Sequence, residues 1–244
     1  MQVIPVLDLL DGHAVRAVRG ERSRYRPIQS SLCATSDPVA IARALVAATD
    51  ARTVYVADLG AILQRGAHDR ALAAICDALG DGVRIWLDAG FTAFAPMRAL
   101  VERIAGLTRS STPAAIVPVF GTETLLDIGA IAEASACGLE PILSLDYRGG
   151  RALGSVHAES AFWPSRVIVM TLDHVGAHAG PDLDTFASVR ALAGAREVIG
   201  AGGIRHVDDL ALASGSGAHA WLVASAIHDG TVARCDVHRR AFGR

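Results

Sequence analysis

Eight short runs of apolar, β-branched residues recur along the chain, and amphipathic helical patterns separate them. The runs are Val3–Leu9, Thr53–Ala57, Val83–Leu87, Ala115–Phe120, Ile142–Leu145, Val167–Met170, Glu197–Ile199 and Ala220–Ala224. They are continuous rather than alternating, as expected of parallel strands covered on both faces. Between them, Asp37-Pro38 supplies an N-cap and a first-turn proline for a helix through Leu45. Leu72, Ile75, Cys76 and Leu79 follow helical spacing, as do Met97, Leu100, Val101 and Ile104. Further helices are expected near 124–136, 184–193 and 207–213. Eight β-α alternations in 244 residues predict an α/β fold, a single (β/α)8 barrel spanning residues 1–244. A doubly wound open sheet would need a Gly-rich turn after its first strand. Here that strand runs into Leu7-Asp8-Leu9-Leu10-Asp11-Gly12, which does not provide one.

The two halves of the chain resemble each other. Pro5-Val6-Leu7-Asp8-Leu9 matches Leu143-Ser144-Leu145-Asp146-Tyr147, and the run ending in Asp58 matches the run ending in Thr171. Leu87-Asp88-Ala89-Gly90-Phe91 stands opposite Gly200-Ala201-Gly202-Gly203-Ile204, and Val119-Phe120-Gly121-Thr122 opposite Leu222-Val223-Ala224-Ser225. Half-barrels of about 1–125 and 126–244 follow from an internal duplication.

Composition removes several chemistries. All 23 basic residues are arginine, and the chain has neither lysine nor asparagine. It therefore has no lysine for a Schiff base or a P-loop, and no Asn-linked glycan. A bound anion must be held by arginine, hydroxyls or backbone N–H groups. A net charge of −2 gives no field that would favour nucleic acid or an anionic membrane surface. No apolar stretch approaches the ~20 residues of a membrane span, and the N-terminal residues do not form a signal peptide. Cys33, Cys76, Cys137 and Cys235 are far apart without CxxC spacing, which predicts free thiols and a cytoplasmic protein.

Barrel enzymes act at the carboxyl ends of their strands. Asp8 and Asp146 end strands one and five, on opposite sides of an eight-stranded barrel, and one can serve as base and the other as acid. Thr171 is placed to orient Asp146 or touch substrate, and Asp58 to act similarly near Asp8; the alternative for either is a loop cap. Gly202, Gly203, Ala224 and Ser225 are expected to form a phosphate site after strands seven and eight, because glycine lets backbone N–H groups approach an anion; the alternative for Gly202-Gly203 is a plain tight turn. Gly90, Gly121 and Thr122 form its first-half counterpart. Arg16, Arg19, Arg22, Arg24 and Arg26 crowd the segment after strand one, which reads either as a loop closing over an anionic substrate or as a solvated surface run. Arg148 and Arg151 flank Gly149-Gly150 on the opposite loop, where paired glycines suggest mobility. His174 and His178 lie in a segment broken by Gly176 and Pro181, so no metal site is expected there.

Ile4-Pro5-Val6-Leu7-Asp8-Leu9-Leu10-Asp11-Gly12 with Val15-Arg16, Ser144-Leu145-Asp146-Tyr147-Arg148-Gly149-Gly150, and Ala201-Gly202-Gly203-Ile204 resemble motifs of the HisA/HisF family, most closely its ProFAR isomerases. The resemblance spans essentially the whole chain. It implies an Amadori rearrangement of an aminoaldose to an aminoketose, with Asp8 as base, Asp146 as acid and no cofactor. It also implies a phosphorylated small-molecule substrate and a monomer or small homo-oligomer. The chain departs from the family pattern at Asp88-Ala89-Gly90-Phe91-Thr92, where three glycines are usual. It departs again at His174–Gly180, at Ala224-Ser225 and by the missing tryptophan after strand five. Val18-Arg19-Gly20-Glu21-Arg22, Tyr25-Arg26-Pro27 and Ser36-Asp37-Pro38 resemble a HisA-related side group linked to tetrahydromethanopterin biosynthesis, which implies a different phosphorylated substrate. A third reading is a non-catalytic phosphate-binding barrel.

Overall fold

The eight apolar runs pair side by side into a closed parallel barrel. In the computed structural model, which describes residues 1–154 and 160–232, the strands are β1 (Gln2–Leu10), β2 (Thr53–Asp58), β3 (Arg84–Asp88), β4 (Ala115–Gly121), β5 (Ile142–Arg148), β6 (Arg166–Thr171), β7 (Glu197–Ala201) and β8 (Ala220–Val223). Each pairs with its sequence neighbour, and β8 closes on β1 from Gln2↔Ala220 to Pro5↔Val223. Strand ends differ from the predicted runs by up to three residues. The largest extension is β5, which continues through Tyr147 and Arg148.

Around the barrel lie α1 (Pro38–Thr49), α2 (Asp69–Leu79), α3 (Phe94–Leu107), α4 (Gly129–Ala136), α5 (Leu183–Leu192) and α6 (Val207–Gly215). The Asp37 carboxylate caps α1 by accepting from Ala40 N at 2.8 Å, with Pro38 in the first turn. Helix α2 buries Leu72, Ile75 and Cys76, and α3 buries Met97, Leu100 and Ile104, as their spacing predicts. One-turn helices at Leu59–Ile62 and Ser225–His228 follow β2 and β8.

Because side chains alternate along a strand, each strand serves two cores. Ile4, Tyr55, Trp86, Val117, Ile142, Ile168, Ile199 and Leu222 fill the barrel interior. Leu7, Leu9, Val54, Val56, Leu87, Phe120, Leu143 and Val167 face the helices. This double burial explains why the runs read as continuous.

Two hairpins depart from the simple βα pattern. After β1 the chain turns at Asp11-Gly12 and returns as His13–Arg16, antiparallel to β1 with Asp8 opposite Val15. After β5 it turns at Gly149-Gly150 and returns as Arg151–Ala152, with Tyr147 opposite Ala152. Both central residues have positive φ in each turn (50° and 79°, then 57° and 69°), the conformation that makes Asp-Gly and Gly-Gly the favoured two-residue hairpin turns. The glycine pair read as a mobile loop is a hairpin turn. β1 and β5 thus each run into a two-residue hairpin.

No helix among the described residues is long and apolar enough to cross a membrane. Cys33, Cys76 and Cys137 are free thiols, and Cys235 lies outside the described residues.

Candidate functional site

At the carboxyl ends of the strands the barrel opens into a cavity that is partly open to solvent. Strand register decides which side chains reach it. Asp8 is level with Ala57, Ala57 with Asp88, and Asp88 with Val119, so all four share the inward face. Gly121 is level with Ser144, and Asp146 with Met170. Asp8, Asp88 and Asp146 therefore point into one space from β1, β3 and β5.

Asp146 is held firmly. Ser144 Oγ donates to Oδ1 at 2.7 Å, and the backbone N–H of Glu123 donates to Oδ2 at 2.9 Å. Its own N–H donates to Thr122 Oγ1 at 2.9 Å. Burial and the negative charge of Asp88 push its carboxyl up to about 7, against the pull of those two donors. Asp8 also rises to about 7, through burial, with the Arg22 guanidinium pulling it down and Asp88 pushing it up. No hydrogen bond reaches the Asp8 carboxyl from the described residues. Asp88 is raised by burial as well, while Gly90 N (3.0 Å) and the Tyr55 hydroxyl (3.0 Å) donate to its two oxygens. Carboxyl groups that titrate near neutrality can both take up and release protons at cellular pH.

Residues 17–25, which follow the hairpin strand His13–Arg16, span the mouth as a strap. Arg19 N donates to Val175 O at 2.7 Å, and Arg22 forms an ion pair with Glu123. Gly176 has a φ of 63°, and a Cβ there would lie 2.0 Å from Ala17 O, so only glycine lets the loop after β6 touch the strap. Arg22 and Tyr25 of this strap line the cavity, with Arg22 close enough to Asp8 to lower its pKa.

On the opposite side the loops after β6, β7 and β8 form the wall. His174 donates through Nδ1 to the Gly180 carbonyl oxygen at 2.7 Å, so Nδ1 carries the ring proton. His178, Gly202, Gly203, Ala224 and Ser225 line the same wall. Both glycines have a φ of 85°, and a Cβ at Gly203 would lie 2.1 Å from Gly180 O. Close packing of two loops thus accounts for Gly203 independently of any ligand. Ser225 opens a one-turn helix whose first N–H groups have no intrahelical acceptor.

Of the residues singled out in the sequence, the cavity brings together Asp8, Asp146, Gly121, Gly202, Gly203, Ala224 and Ser225. Thr122 lies buried beneath it, where it positions Asp146. Thr171 and Asp58 follow Met170 and Ala57, which point inward, and so face the helix layer. Thr171 Oγ1 donates to Asp182 Oδ2 at 3.0 Å. Asp58 caps Leu59–Ile62 and accepts from both the N–H and the ring of His68. Gly90 also lies outside the cavity lining. Its φ of 64° and the 2.8 Å from its Cβ position to Ile62 Cα explain the glycine.

The arginine cluster disperses. Arg16 pairs with Asp229, Arg24 with Glu21, and Arg26 donates to Ser23 O and Tyr25 O. Arg19 is a strap residue, and Arg148 packs beside Gly20, so only Arg22 of the cluster lines the cavity. Asp88, Tyr55, Tyr25 and Glu123 were not singled out. Asp88 was findable, since it ends a strand as Asp8 and Asp146 do. The tyrosines and Glu123 carried no comparable signal. Among the described residues, no three His, Cys, Asp or Glu side chains are grouped so as to hold a metal ion.

An uncharacterized protein of Methanocaldococcus jannaschii is 29% identical over 235 residues, 95% of each chain. A 1-(5-phosphoribosyl)-5-((5-phosphoribosylamino)methylideneamino)imidazole-4-carboxamide isomerase of Haloarcula marismortui is 27% identical over 245 residues, 94% of this chain and 92% of its own. Phosphoribosyl isomerase A of Mycobacteroides abscessus is 26% identical over 245 residues, 93% of each chain. The model of the family described as histidine biosynthesis protein matches residues 2–233, nearly the whole barrel and every residue of the cavity, and the chain belongs to that family.

Proposed function

We propose that this barrel is a cofactor-free aldose–ketose isomerase that performs an Amadori rearrangement on a ribosyl phosphate. The observation that carries the reading is the pair Asp8 and Asp146, facing each other from β1 and β5 and both titrating near 7. The names of the two isomerase relatives supply the substrate class, a phosphoribosyl compound. Asp146 gives a proton to the ring oxygen as the C1–O bond breaks, and the amine lone pair forms a C1=N iminium. Asp8 removes the proton from C2, and the electron pair moves toward C1 to give an enolamine. Return of a proton to C1 and loss of the enol proton leave a ketone at C2. The step is redox-neutral overall, with C2 oxidised and C1 reduced, and needs only proton transfers. The loops after β7 and β8 hold the phosphate through backbone N–H groups and Ser225.

The test is exchange of the C2 hydrogen in D2O, with ProFAR and with the N-riboside of aniline and ribose 5-phosphate as substrates. Wild-type protein is expected to exchange at least one of them, and Asp8→Asn and Asp146→Asn to abolish exchange. Exchange that persists in folded Asp8→Asn or Asp146→Asn protein overturns the reading. A substrate other than ProFAR, as in the side group linked to tetrahydromethanopterin biosynthesis, is favoured by one feature of the cavity. Its β3–β5 end carries carboxylates where a second phosphate would have to sit.

A further inference from the structure

The two ends of the cavity have opposite electrostatic character. The β3–β5 end presents Asp88, Asp146 and Glu123, and its one lining cation, Arg22, is already paired with Glu123. The β6–β8 end has no acidic side chain in its lining, and it contributes His174, His178, Ser225 and the glycine loop.

Both ends spend backbone N–H groups within the chain, so the contrast between them lies in their side chains. At the β6–β8 end Gly203 N and Ala177 N both donate to His174 O. At the β3–β5 end the donors that would grip an anion are used by the chain itself. Gly90 N donates to Asp88, Glu123 N to Asp146, and Thr122 N to Ser144 O. Thr124 N and Leu125 N both donate to Gly121 O. A Cβ at Gly121 would lie 3.0 Å from one Asp146 oxygen and 3.5 Å from an Asp88 oxygen, so these two carboxyl groups flank the strand end where a phosphate would otherwise seat. Both Asp88 oxygens accept hydrogen bonds, from Gly90 N and Tyr55 OH, and keep further lone pairs for a donor on a bound molecule. A phosphate placed there would meet three acidic side chains and a single cation, Arg22, already engaged by Glu123.

We infer that the substrate carries a single phosphate, held at the β7–β8 loops, and that its far end bears an amine or hydroxyl group that donates hydrogen bonds to Asp88. A substrate with a phosphate at each end is rejected. This rests on the reading of the cavity as a sugar-phosphate site, and it replaces the first-half phosphate site expected from the barrel's internal repetition.

The test compares binding by calorimetry, which requires no turnover. The probes are ProFAR, with two phosphates, and the N-riboside of ribose 5-phosphate with 4-(aminomethyl)aniline, with one phosphate and an ammonium at the far end. Wild-type protein is expected to bind the monophosphate at least about tenfold more tightly. Asp88→Asn, folded by circular dichroism, is expected to narrow that ratio by about tenfold, chiefly by tighter ProFAR binding. ProFAR bound as tightly as the monophosphate by wild-type protein overturns the inference, and so does a ratio unchanged in both folded Asp88→Asn and Glu123→Gln. Failure of the isomerase reading is separately visible: the monophosphate binds with the expected preference, but its C2 hydrogen never exchanges.

Discussion

Asp8 and Asp146 occupy equivalent places, at the ends of strands that each continue into a two-residue hairpin, yet their surroundings differ. Asp146 is pinned by Ser144 Oγ and Glu123 N, and its backbone N–H is anchored to Thr122. Asp8 receives no hydrogen bond from the described residues and faces Arg22 and Tyr25 of the strap. The difference teaches how a repeated scaffold yields two distinct roles. A carboxyl group held in one orientation suits delivery of a proton to a fixed ring oxygen. One that is free to turn suits carrying a proton between neighbouring carbons. Burial brings both to about 7, and the neighbours separate their behaviour.

The largest effect expected is on turnover. Asp8→Asn and Asp146→Asn should each lower kcat by about 10²–10⁴-fold, measured by C2 exchange. Equal loss in both sharpens the comparison, and full activity in either breaks it. The parent protein should show a bell-shaped pH profile with both limbs near 7, reported as properties of the pair.

Stability should move the other way. In the folded protein both carboxyls bind a proton up to about 7, whereas the unfolded chain releases it near 3.8. Their contribution is therefore fully present below about pH 4 and is lost as pH rises through 7. Replacing either with asparagine removes a charge that is costly to bury. Urea unfolding at pH 8 should find Asp8→Asn and Asp146→Asn more stable than wild type by about 1–2 kcal/mol, a gain that fades toward pH 4. A gain that is the same at both pH values contradicts the assigned cause.

Ser144→Ala removes one donor from Asp146 and should cost about tenfold in kcat. It should also move one limb of the pH profile upward, since that hydrogen bond favours the charged form. Arg22→Gln is the matching probe for Asp8 and should raise the other limb by a few tenths of a unit at moderate salt. If both substitutions shift the same limb, the two carboxyl groups are not distinguished as described.

Much of the scaffold was legible along the chain. All eight strands, α1 with its Asp37-Pro38 start and the apolar faces of α2 and α3 follow from periodicity and capping. Asp11-Gly12 and Gly149-Gly150 also carried a hairpin signal, but it was masked because neither is followed by a long apolar run. The fate of the arginines was not legible. Arg16, Arg24 and Arg26 differ from Arg22 only in what folding brings near them, and Asp229, paired with Arg16, lies 213 residues away.

The sequence by itself determined that this chain closes a barrel, that acidic residues end several strands, and that no lysine takes part in its chemistry. Only the tertiary structure decided which of those strand-end residues face one another. Asp58 and Thr171 differ from Asp8, Asp88 and Asp146 by a single step of strand parity, and one step turns a side chain from the cavity to the helices. A strand exposed on one face advertises its parity by alternating apolar and polar residues. These strands are buried on both faces, so nothing along the chain marked the inward side until register across the barrel fixed it.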